Sequence, residues 1–141
     1  MAYELTQATQ PLAIAEQEYG TANEVRFTRF TSCIGLLGVN GPNVTGVHLV
    51  AVSNQGTPFD QDAAADAVAA LGVFTQVVIL GATNSWGTEA ALSVPFAYLV
   101  GRLTQNGVPP SVWNFADGIY GGRVDNGTFQ IYADGNYFDV D

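Results

Sequence analysis

The chain has 141 residues, 48% of them hydrophobic and 12% charged, which is enough apolar material for one folded domain over residues 1–141 and too much for a disordered one. Thirteen acids against four arginines, with no lysine, give a net charge of −9; this disfavours nucleic acid and anionic membranes and favours a partner with a basic face. One cysteine excludes an internal disulfide, and one cysteine with one histidine gives too few ligands for a structural zinc site, so neither a metal nor a cofactor is expected.

In chain order, the opening MAYELTQATQPLAIAEQEYG is the least legible stretch. It lacks the basic start and continuous apolar core of a secretion signal, and no later run is long enough to span a membrane. No membrane insertion is expected; the location is cytoplasmic, or outside the cell by a signal-independent route. EVRFTRF, residues 24–30, reads as a strand with Val25 and Phe27 on one side. FTSCIGLLGVNGPNVTGVHLVAV, residues 30–52, reads as two strands about NGPN. DAAADAVAALG reads as a helix, started by Asp60 and Asp62 and stopped by Gly72. The apolar run at 74–82 is a buried strand. ATNSWG reads as a loop in which Trp86 covers the core edge and Asn84 and Ser85 can donate hydrogen bonds. SVPFAYLVGRLTQNG is a second helix, capped by Ser93, with Pro95 in its first turn and Gly107 at its end. The tail is a meander with hairpin turns at Asn126-Gly127 and Asp134-Gly135, its aromatics (Phe129, Tyr132, Tyr137, Phe138) lying in the core and on the sheet face. The fold class is therefore α/β, a mostly antiparallel β-sandwich flanked by two helices.

The only cysteine, Cys33, and the only histidine, His48, sit on the two arms of the first hairpin. A turn centred on Asn40-Gly41 sets Cys33 directly opposite His48, where Cβ atoms are about 4.5–5.5 Å apart. The same register sets Gly35 opposite Gly46 and leaves bare backbone beside the pair for a substrate. Pro42 cannot donate the closing bond of so tight a turn. Moving the turn on by one residue makes the pair diagonal on one face, whereas a slip of one strand by one residue puts them on opposite faces. A thiol beside an imidazole is an activated nucleophile. The imidazole needs an orienting group, either a backbone carbonyl or a side chain, with Thr28 and Thr31 the local hydroxyls. Backbone N–H groups at Ser32 and Cys33 offer an oxyanion hole. The plainer reading makes Cys33 a small core hydrophobe and His48 a satisfied buried histidine.

The Cys–His spacing, with FTSC before it, resembles the cysteine–histidine glutamine deamidases, which include chemoreceptor deamidases of the CheD type and the catalytic domain of cytotoxic necrotizing factor. Ser32-Cys33 keeps the end of the receptor deamidases' Leu-Gly-Ser-Cys; Ser32 stands where the toxins' Leu-X-Gly-Cys has glycine. The later element order and DGIYGGRV, with Asp117, Gly121, Gly122 and Arg123, are also similar to the receptor deamidases. Asp117 and Arg123 can pair. The resemblance implies that fold and a protein-glutamine deamidase in which Cys33 attacks the carboxamide and His48 protonates departing ammonia. An amine in place of water gives transglutamination. It implies a protein substrate with an exposed glutamine, in a bacterial receptor or, for a translocated effector or toxin, in a host protein. The receptor family's third catalytic threonine falls on Phe27, one place before Thr28; the toxins use a backbone carbonyl. A binding module that does not use the chemistry, or another thiol hydrolase, are the alternatives.

Overall fold

The computed structural model describes residues 2–140. The first part of the chain forms β1 (Thr6–Gln7), β2 (Glu18–Ala22), β3 (Glu24–Arg26), β4 (Ile34–Asn40) and β5 (Asn43–Leu49). Then come α1 (Gln61–Leu71), β6 (Gln76–Gly81), α2 (Thr83–Thr88) and α3 (Ser93–Gln105). The tail supplies β7 (Ser111–Asn114), β8 (Tyr120–Asp125), β9 (Thr128–Ala133) and β10 (Asn136–Asp139). One sheet has the order β1-β2-β5-β4-β6-β7, antiparallel at its centre and parallel at its two end pairs. The other, β10-β9-β8-β3, is antiparallel throughout.

The continuous apolar runs of β4 and β5 are buried on both faces, as strands covered from both sides must be. On one face Gly38 lies against Leu71 of α1 and the ring of Phe74; on the other Leu37 reaches Gly122 of the second sheet. The layers are therefore helix, six-stranded sheet, four-stranded sheet. The chain is α/β and mostly strand, with three helices rather than two. The extra one, α2, occupies the segment read as a loop. Trp86 turns inward there, so a buried indole stabilises a short helix that local propensity does not favour.

Most local signals act as their chemistry dictates. Asp60 caps α1, its Oδ1 accepting the Ala63 N–H at 2.8 Å, and Gly72 ends the helix at φ +69°. Asn126-Gly127 and Asp134-Gly135 all have positive φ, as type I′ hairpin turns require. Ser93 does not cap α3: Leu92 holds the cap position with no side-chain bond, and Ser93 is already helical, its N–H donating to Glu89 O at 2.8 Å. The strand of EVRFTRF stops at Arg26, although Val25 and Phe27 are buried as expected.

The central hairpin turns one residue later than Asn40-Gly41. Asn40 pairs with Asn43, so the turn residues are Gly41 and Pro42. Gly41, at φ +61°, takes the position that type II′ turns reserve for glycine, and Pro42 follows where no N–H is required. Gly35 therefore faces His48 and Leu37 faces Gly46, while Cys33 lies diagonal to His48 on the same face.

Candidate functional site

Cys33 immediately precedes β4, at the end of the hairpin away from its turn. His48 lies on β5, fully buried. Phe27 and Phe30 enclose its ring, with centroids 5.5 and 4.7 Å away. Those two rings fill the space that bare glycines would otherwise leave. A Cβ on Gly35 would lie 2.7 Å from Phe27 and 2.9 Å from Phe30, and one on Gly46 3.1 Å from Phe27. No substrate enters over Gly35 and Gly46. The register that paired them is not the one formed, and the aromatic side chains take the room.

The imidazole is oriented by a backbone carbonyl. His48 Nδ1 lies 2.9 Å from Ile14 O, an arrangement that makes Nδ1 the protonated nitrogen, because a carbonyl only accepts. The other nitrogen, Nε2, is buried and has no hydrogen-bond partner among the described residues. His48 is thus not the satisfied core histidine of the plainer reading. Burial lowers its pKa, against smaller opposing effects of the Ile14 carbonyl, Glu16 and Glu18, so the ring is a neutral base. The Thr28 hydroxyl does not orient it. Thr28 is exposed, and its backbone N–H donates to the same Ile14 carbonyl at 3.0 Å.

A residue that no periodicity marked completes the cluster. One carboxylate oxygen of Glu16, Cys33 Sγ and one ring nitrogen of His48 lie within 4.8 Å of one another. The thiol has two acceptors, Thr31 O at 3.6 Å and Glu16 Oε2 at 3.7 Å. Burial pushes this thiol up to about 11, and the carboxylate of Glu16 adds to the rise. The loop carrying Glu16 is fastened to the histidine strand, with Gln17 at φ +64° and its N–H on His48 O at 2.8 Å. Tyr3 secures the far end of β5: its hydroxyl donates to Val50 O at 2.7 Å and accepts from Val50 N at 2.8 Å. Glu16 also lines an open cleft of about 230 Å³ with Glu4, Glu18, Gln17, Asn54 and Gln55. That opening is polar and anionic.

The segment before Cys33 is held from both sides. Ser32 has φ +62°, a conformation that costs a non-glycine residue of order 1–3 kcal/mol. Its N–H donates to Asp117 Oδ1 at 2.9 Å, and its carbonyl accepts from Trp86 Nε1 at 3.0 Å. Ser32 N–H is therefore already engaged by a carboxylate. The Cys33 N–H donates to no acceptor among the described residues. Thr31 contributes its carbonyl rather than its hydroxyl. Asp117 and Arg123 do not pair: Arg123 binds Gln130 at 2.8 Å and approaches Asp125 at 3.8 Å. The Asn84 backbone N–H donates to Asn114 Oδ1 at 3.0 Å.

The sequence matches no known protein-family model, and no characterised protein matches it.

Proposed function

We propose that the protein is a cysteine-dependent amidohydrolase that converts exposed glutamine of a protein substrate to glutamate. The observation that carries this reading is the buried, unpartnered Nε2 of His48, on a ring that is fixed through Nδ1 to the Ile14 carbonyl and has one nitrogen within 4.8 Å of Cys33 Sγ. An unsatisfied buried acceptor costs about 1–3 kcal/mol, a cost that makes sense where a proton has to be received.

In the reaction, Nε2 takes the thiol proton as Sγ bonds to the side-chain carboxamide carbon. The oxyanion that forms accepts from the Cys33 N–H. His48 returns the proton to the nitrogen, ammonia leaves, and a thioester remains. Water, deprotonated by the same imidazole, attacks the thioester; glutamate departs and the thiol is restored. An amine in the place of water yields the transglutamination product. Before any of this, the carboxamide has to displace Glu16 from the thiol, which removes a charge that favours the neutral form. The carbonyl-oriented histidine matches the toxin variant of the resemblance, and the positive φ of Ser32 suits the glycine that the toxins have there. The acidic cleft and net charge of −9 favour a substrate surface rich in arginine and lysine. A bacterial receptor and, for an effector or toxin, a host protein are both substrates of this class.

One observation favours a second reading, a binding module that does not use the dyad: Cys33 is only 2% exposed. Proteomics of target-cell lysates separates the two. Glutamine-to-glutamate conversion is expected with the natural chain and absent with Cys33→Ser and with His48→Ala. Conversion in neither the natural chain nor the variants supports the binding module.

A further inference from the structure

We propose that Glu16, Cys33 and His48 form a site for a divalent transition metal of the zinc type, and that occupation of the site blocks Cys33. The blocking rests on the reading of Cys33 as nucleophile; the metal site does not.

Three donor atoms of different kinds, a thiol sulfur, an imidazole nitrogen and a carboxylate oxygen, converge within 4.8 Å. Tetrahedral zinc holds such ligands at about 2.0–2.3 Å and so separates them by roughly 3.3–3.8 Å. The sulfur and the Glu16 oxygen already stand 3.7 Å apart. The 4.8 Å span of the cluster exceeds those separations by about an ångström, which binding has to close.

The independent sign is His48. Metal-ligating histidines commonly donate their second ring nitrogen to a backbone carbonyl, which fixes the tautomer and presents the other lone pair. Here Nδ1 meets Ile14 O at 2.9 Å, and Nε2 is buried with no partner among the described residues. The donor set selects the metal. Calcium and magnesium take oxygen ligands, whereas thiolate with imidazole and one carboxylate suits zinc and cobalt. Three protein ligands leave a fourth position for water. Binding replaces the S–H bond by a sulfur–metal bond and releases the proton to solvent. Sγ is then no longer free to attack a carboxamide. Counting cysteine and histidine gave two ligands; the third comes from Glu16, which only the fold brings in.

The test uses the full chain, stripped with chelator and titrated with Co²⁺. A thiolate-to-cobalt charge-transfer band saturating at one equivalent is expected. Glu16→Gln, a change at an exposed position, is expected to weaken the apparent Kd by roughly tenfold or more, since even outer-shell losses reach that size. Cys33→Ser removes the band, with circular dichroism confirming the fold. Zn²⁺ is expected to slow iodoacetamide at Cys33 until chelator is added. No charge-transfer band in the natural chain, or an unchanged Kd in Glu16→Gln, overturns the site. Glutamine conversion is measured separately on the metal-free chain. Cobalt binding without conversion defeats the catalytic reading alone, and conversion without cobalt binding defeats the metal site alone.

Discussion

At Cys33 burial imposes a neutral thiol, and the carboxylate of Glu16 favours that form further. Alkylation requires thiolate, so Cys33 of the natural chain is expected to react with iodoacetamide more slowly at neutral pH than a free thiol. Glu16→Gln removes the charge and is expected to speed the reaction; equal rates would show that Glu16 does not control the thiol. His48→Leu tests the orphaned nitrogen. It forfeits the bond to Ile14 O, about 1 kcal/mol, but removes an unsatisfied acceptor worth about 1–3 kcal/mol. The Ile14 carbonyl keeps its bond from Thr28 N–H. Urea denaturation is therefore expected to find the variant as stable as the natural chain or more so, with conversion abolished. A loss of several kcal/mol contradicts this. The pH dependence has a definite sign. Burial holds the folded His48 pKa below 6.5, so on acidification the unfolded chain binds the proton first. The contribution of His48 to stability is present above 6.5 and lost as the pH falls through its folded value. In metal-free buffer, His48→Leu is expected to flatten the acid limb of the stability curve.

Among the elements, β6 meets the Cys33 segment at Gly81. Its φ is +114°, and a Cβ there would lie 2.4 Å from Cys33 O and 3.0 Å from Ile34 Cα. Both are backbone atoms and cannot swing away, so Gly81→Ala is expected to cost more than about 3 kcal/mol. Gly101 lies within α3 and has open space at the same position, so Gly101→Ala is expected to stabilise by about 0.5–1 kcal/mol. Thermal melts of the two variants check both; a mild Gly81→Ala would mean that the Cys33 segment shifts freely. Elements with periodic burial or a strong turn or cap were legible in the sequence: Asp60 and Gly72 bound α1, and two turn dipeptides order the tail. The site was legible as far as the hairpin carried it. A period of two put Cys33 and His48 on one face for either position of a two-residue turn and on opposite faces for a one-residue slip, and Pro42 flagged the register that does not form. Glu16 and Ile14 were not legible, because their loop is positioned by long-range bonds to His48 and Arg26 rather than by any pattern of its own. The Phe27 and Phe30 rings over Gly35 and Gly46 were hidden for the same reason. Position along the chain says nothing of which side chain fills a gap on the neighbouring sheet.

For the molecule as a whole, the two sheets enclose the histidine, and the Ile14 carbonyl of the preceding loop meets its ring. Different parts of the chain each hold one piece: β5 and the residue before β4 hold His48 and Cys33, the loop before β2 the Ile14 carbonyl and the Glu16 carboxylate, and Asp117 before β8 the Ser32 amide. This arrangement keeps the resting thiol covered, and an anionic cleft opens at Glu16. The most direct test of this account follows oxygen. Target lysate is incubated with the metal-free chain in heavy-oxygen water, and glutamine-derived glutamates are sequenced by mass spectrometry. The account predicts heavy oxygen in the new side-chain carboxylates with the natural chain and none with Cys33→Ser or His48→Ala. Unlabelled glutamines throughout, or equal labelling by all three chains, would contradict it.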